Sequence, residues 1–129
     1  MAPKRVFASF DLDHDDDLRN LLVEQSRHPD SPFVVADSSV KEPMAGDWRV
    51  KVRKRMRQVD MVVILCGEHT SDAATVNAEL KIAKEESIPC FLLWGRAGTK
   101  CSKPTSADAS ERVYRWTWES LTALLRGSR

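Results

Sequence analysis

Met61-Val-Val-Ile-Leu65 is an unbroken apolar run with no polar residue to mark an outer face. A strand with one wet face alternates apolar and polar residues, so this run predicts a strand covered on both sides. Cys90-Phe-Leu-Leu-Trp94 repeats the pattern once Pro89 has reset the chain. Between the two, Ala73, Val76, Leu80 and Ala83 recur at helical spacing, which predicts a helix from about Asp72 to Glu86 with those residues on its inner face. Two covered strands joined by a helix form a right-handed parallel crossover.

The same grammar extends outward. Trp48, Val52, Met56 and Val59 fall on one helical face behind Asp47, a natural N-cap. Arg49, Lys51, Arg53, Lys54, Arg55 and Arg57 fill the other faces and read as solvated surface. Upstream, Phe33-Val-Val-Ala36 is a strand ending at Asp37, followed by a loop through Ser38, Ser39, Pro43 and Gly46. The first strand is Arg5-Val-Phe-Ala-Ser-Phe10, followed by an apolar helical stripe at Leu18, Leu21 and Leu22. Downstream, Gly95 to Ser110 reads as a long loop, Arg112 to Trp116 as an edge strand, and Trp118 to Leu125 as a closing helix. The alternation predicts an α/β, flavodoxin-like three-layer fold. Its five-stranded parallel sheet has the order 2-1-3-4-5 with helices on both faces, and residues 1–129 form one domain.

Composition narrows the function classes. Hydrophobic residues make up 42% of the chain and charged ones 30%, and the net charge of +1 gives no bulk pull toward nucleic acid or a membrane surface. No apolar stretch approaches the ~20 residues of a membrane span, and the run after Arg5 is too short for a secretory leader. The three cysteines, Cys66, Cys90 and Cys101, include no CxxC pair, which argues against a disulfide framework and a structural zinc site. A cytoplasmic protein of free thiols, without a bound metal or cofactor, is the expectation.

In open α/β sheets the ligand crevice lies beyond the carboxyl ends of the strands, beside the switch in strand order. Here that means Ser9-Phe10-Asp11, Asp37-Ser38, Cys66-Gly67 and the start of the third helix. No glycines follow the first strand, so phosphate-cradling loops are excluded. The third strand ends Cys66-Gly67 and not in an aspartate, which excludes a phosphoacceptor receiver. Asp15, Asp16 and Asp17 suit a helix N-terminus, where the macrodipole favours negative charge, better than a cation site. Asp11 and Asp13 stand at the mouth of the first strand, where either can bond a ribose hydroxyl or an arginine. His14 and His69 lie in crevice loops and read as exposed or capping residues.

The segment Thr75-Val-Asn-Ala-Glu79-Leu-Lys-Ile-Ala83 resembles the third-helix signature of Toll/interleukin-receptor (TIR) domains that cleave NAD, with Val76, Glu79, Leu80 and Ala83 matching position by position. Arg5 to Asp11 resembles the first strand of the TIR-like proteins of bacterial Thoeris anti-phage defence. Trp48, behind a loop in the place of the family's BB loop, is similar as well. The family often has an aromatic residue where Thr75 stands. The resemblance implies an enzyme that breaks the nicotinamide–ribose bond of NAD, its substrate, and releases a linear, cyclic or conjugated ADP-ribose signal for a separate effector protein. It further implies self-association as a dimer or filament. Glu79 would be the catalytic carboxylate, about 60° around the helix from Val76 and so on the shoulder of the buried face. Phe10, Asp11, Asp37, Ser38 and the loop to Gly46 would shape the pocket. Trp48 would close it or belong to the core, and Cys66 would line it without a base to make it a nucleophile. Two other readings stay open: a non-catalytic TIR scaffold or nucleotide-binding module, and a nucleoside deoxyribosyltransferase-like enzyme.

Overall fold

The computed structural model describes residues 3–127. In chain order the elements are β1 (Lys4–Ser9), α1 (Asp16–Ser26), β2 (Phe33–Ser38), α2 (Trp48–Met56), β3 (Met61–Cys66), a 3₁₀ turn (Thr70–Asp72), α3 (Ala74–Glu85), β4 (Cys90–Trp94), β5 (Val113–Arg115) and α4 (Trp118–Leu125). The strands form one sheet in the order β2-β1-β3-β4-β5, parallel at every pairing. This is the expected doubly wound, flavodoxin-like arrangement.

Period-two alternation distributes the sheet's side chains between two cores. Val6, Ala8, Val63, Leu65, Phe91 and Leu93 pack with Leu18 and Leu22 of α1 and Leu121, Leu124 and Leu125 of α4. Phe7, Val62, Ile64, Cys66 and Leu92 pack on the other side with Trp48, Val52 and Met56 of α2 and Val76, Leu80, Ile82 and Ala83 of α3. Every residue of β3 is buried, as its apolar run requires. β1 and β2 slip register between Val6 and Phe7, and this irregularity leads into the crevice end of β2.

Some boundaries differ from the sequence reading. Leu21 is 43% exposed: it lies about 60° from Leu18 on the side away from Leu22, and so at the edge of the stripe that Leu18 and Leu22 share. The third helix does not begin at Asp72: the 3₁₀ turn intervenes, and Ala73 is extended before α3 starts. Val59 lies beyond the end of α2, and the edge strand shortens to Val113–Arg115. Asp47 precedes α2 without making a side-chain cap; its carboxylate approaches Lys51 Nζ at 3.6 Å instead. Thr117 caps α4, accepting from Ser120 N at 3.0 Å. No helix among the described residues is long and apolar enough to cross a membrane.

Candidate functional site

β1 carries the centre of the site. Ser9 follows Phe7 by two residues and faces α2 and α3 with it, a polar side chain where the alternation calls for an apolar one. Its hydroxyl donates to Glu79 Oε1 at 2.7 Å, and Ser39, just past β2, donates to the same oxygen at 2.5 Å. Ser39 Oγ also accepts from Phe10 N at 3.2 Å, and Ser39 N donates to Ala8 O, so the segment after β2 is tied to the end of β1. Glu79 therefore stands deeper than the shoulder position its helical angle predicts: the residue is 1% exposed. Among the described residues both donors converge on Oε1, and none reaches Oε2.

Burial dominates the chemistry of this carboxyl. It pushes the Glu79 pKa up to about 7, against the opposing pull of the Ser39 and Ser9 hydroxyls and of the Arg55 charge. The side chain is thus poised between its protonated and ionised forms near neutral pH, a property that clusters at working sites.

Arg55, from the basic face of α2, is the second structural anchor. Its Nε and Nη2 grip Asp37 Oδ2 and Oδ1 at 2.8 and 2.7 Å, and Nη2 also reaches Ser38 O at 2.6 Å. This fork fixes the crevice end of β2. The Asp37 carboxyl is lowered overall: burial works against ionisation, but the Arg55 hydrogen bonds outweigh it together with the Ser38 amide. The guanidinium also lies over the Phe7 ring, 5.5 Å from its centre.

A cavity of about 610 Å³ opens among Asp11, Asp13, His14, Lys41, Glu42, His69 and Thr75; Glu79 is not among the residues that line it. Its volume is within the ~300–1,000 Å³ range of small-molecule sites. Thr75, in the cavity's lining, is one turn before Glu79 on α3, so the cavity and the carboxylate share a helix. Asp11 is buried in the wall; its Oδ1 accepts from Asp13 N at 3.0 Å and its Oδ2 bonds His14 Nδ1 at 2.8 Å. The His14 ring stacks on that of His69, centres 4.1 Å apart. Asp11, Asp13, Glu42 and Asp72 set against Lys41 make the lining predominantly acidic.

Of the residues read from sequence, Asp11 lines the cavity, and Glu79 is buried without lining it. Phe10 is buried in the core packed against α1. Asp37 and Ser38 are held in the Arg55 fork and do not line the cavity. Trp48 is buried in the core beneath α2, one of the two placements expected for it. Cys66 is enclosed on the same side, its thiol pushed up to about 12 by burial, and it does not reach the cavity. Sequence reasoning placed Ser9 and Ser39 in crevice segments without a role and read Arg55 as solvated surface; His14 and His69 are exposed, as expected of them, and also line the cavity. Ser9 carried a signal, a hydroxyl at a helix-facing strand position. Arg55 carried none, being one cation among several.

The family model for the Thoeris protein ThsB TIR-like domain matches residues 7–97. The chain belongs to this family. Among curated proteins, none matches the chain. The matched segment of this TIR-like domain runs from β1 to just past β4, and so takes in Ser9, Asp11, His14, Asp37, Ser39, Arg55, His69 and Glu79. β5 and α4 lie beyond it. Membership of a Thoeris family places the domain in the context of anti-phage defence.

Proposed function

We propose that this TIR-like domain cleaves the nicotinamide–ribose bond of NAD, with Glu79 as the carboxylate that offsets charge on the ribosyl carbon. The observation that carries the reading is Glu79 itself: an ionisable group nearly sealed at the carboxyl end of β1, holding two hydroxyl donors on one oxygen, one helical turn from Thr75 in the lining of a cavity of ligand size. Bond breaking at the anomeric carbon builds an oxocarbenium-like centre, and a fixed carboxylate in a dry site stabilises that charge strongly. The leaving nicotinamide is a neutral pyridine, so no general acid is needed. Ser9 and Ser39 present their hydroxyls to Glu79 as a sugar diol would. Displacing the Ser39 segment would let ribose hydroxyls take those positions. The acidic lining of the cavity favours the cationic nicotinamide riboside end of the substrate.

The product, a linear, cyclic or conjugated ADP-ribose, would act on a separate effector protein, and the enzyme would work as a dimer or filament. Incubation of the concentrated protein with NAD and mass spectrometry of the products tests the reading. Wild type is expected to release nicotinamide, and Glu79→Gln to lose at least about 10²-fold of that rate while keeping its fold. Wild type that releases none when concentrated would leave a non-catalytic module in its place.

A further inference from the structure

The cavity wall holds a second piece of chemistry that Glu79 does not use. Asp11, His14 and His69 form a chain from a buried carboxylate to an imidazole to a stacked imidazole. The turn that carries His14 is fixed by its own backbone: His14 N and Asp15 N both donate to Asp11 O, at 3.3 and 2.9 Å. The Asp11 carboxylate offers only lone pairs, so its 2.8 Å contact puts the imidazole proton on Nδ1 and leaves Nε2 with a free lone pair. Among the described residues no protein group bonds Nε2. The ring is half exposed and borders the cavity. A carboxylate that orients an imidazole is the arrangement of a general base.

We propose that His14 is the proton acceptor for the hydroxyl that attacks the ribosyl carbon, with Asp11 and His69 as its positioning residues. This inference rests on the NAD-cleaving reading. In the step, the bond from the anomeric carbon to the nicotinamide nitrogen breaks and its electron pair leaves with nicotinamide. An oxygen lone pair of water, or of a ribose hydroxyl, forms the new C–O bond. The proton of that hydroxyl passes to His14 Nε2, and the imidazolium then returns it to solvent. Glu79 and His14 so divide the work: one answers the positive charge, the other removes the proton.

The division can be separated by choice of nucleophile, because a pyridine nitrogen attacks without releasing a proton. Wild type, His14→Ala and His14→Asn are compared on NAD alone and on NAD with 3-acetylpyridine. Asn keeps an N–H for Asp11 but supplies no base. Both variants are expected to lose on the order of 10²-fold in the hydroxyl-derived product. Both should retain exchange of nicotinamide for 3-acetylpyridine within about twofold, since that path needs Glu79 and no base. A parallel fall in the two reactions, or no fall in either, overturns the assignment of His14 while the NAD reading stands. Wild type silent in both reactions overturns the NAD reading and this inference with it.

Discussion

Glu79 ties activity and stability to pH in opposite directions. The carboxyl takes a proton at about 7 in the folded protein against 4.5 in an ordinary setting, with burial as the main cause. The folded state therefore binds the extra proton between these values. The stability it gains is complete below pH 4.5 and is lost as pH rises through 7. The loss amounts to about 3 kcal/mol, at about 1.4 kcal/mol per pH unit. Glu79→Gln never ionises and can still accept both serine hydroxyls. It is expected to melt above wild type at pH 8, by on the order of 10 °C, with the gap closing by about pH 5. A Glu79→Gln variant that melts below wild type at that higher pH would contradict the burial account. Catalysis runs the other way, since the ionised form is the useful one: kcat/KM for NAD should rise with pH and level off above the midpoint. At this scale only part of the site was legible. Glu79 stood out through its helical motif and Asp11 through its place after β1. The serines that hold Glu79 and the arginine that holds Asp37 meet only through tertiary packing, across separations in sequence that no local pattern spans.

Among the elements, α3 shows how a short segment delivers a functional group. Val76, Leu80 and Ala83 set its rotation against the sheet, and that rotation carries Glu79 inward. Its C-terminus closes with two bonds, Ser87 N to Lys84 O at 3.1 Å and Ile88 N to Ala83 O at 2.9 Å, the pattern of a Schellman motif. Ser87 takes a φ of 57° there, a left-handed conformation that disfavours any side chain. Ser87→Gly is expected to raise stability by about 0.5–1 kcal/mol, read by urea denaturation at an unchanged m-value. A loss of stability would show that the serine side chain holds the turn. The elements themselves were largely readable, because continuous apolar runs and helical stripes are local signals. The boundaries that moved did so for tertiary reasons. Ala73 breaks the helix so that the 3₁₀ turn can bond back to Gly67 through Thr70 Oγ1, and β5 is short because only three residues pair with β4.

Across the whole molecule, the carboxyl edge of the sheet is drawn together from distant parts of the chain. Arg96, after β4, clasps Asp17 with both terminal nitrogens and reaches Asp15 Oδ1 at 2.9 Å, so the loop leaving β4 is locked to the start of α1. Asp15 in turn lies against Gly67 at the end of β3: a methyl group there would meet its Oδ2 at 2.4 Å. Gly67→Ala is expected to cost about 1–3 kcal/mol. Combined with Asp15→Ala it should cost clearly less than the separate losses together, by about 1 kcal/mol or more in a double-mutant cycle. Strict additivity would mean that the two residues do not press on each other. Cys66, one residue earlier, is fully buried at the end of the central strand, and its sulfur is both enclosed and reluctant to ionise. Alkylation by iodoacetamide then becomes a clock for the fold: the reagent can modify that sulfur only during excursions in which the central strand parts from its neighbours. The labelling rate, followed as NAD or its fragments are added, would register ligand occupancy as a slowing of those excursions.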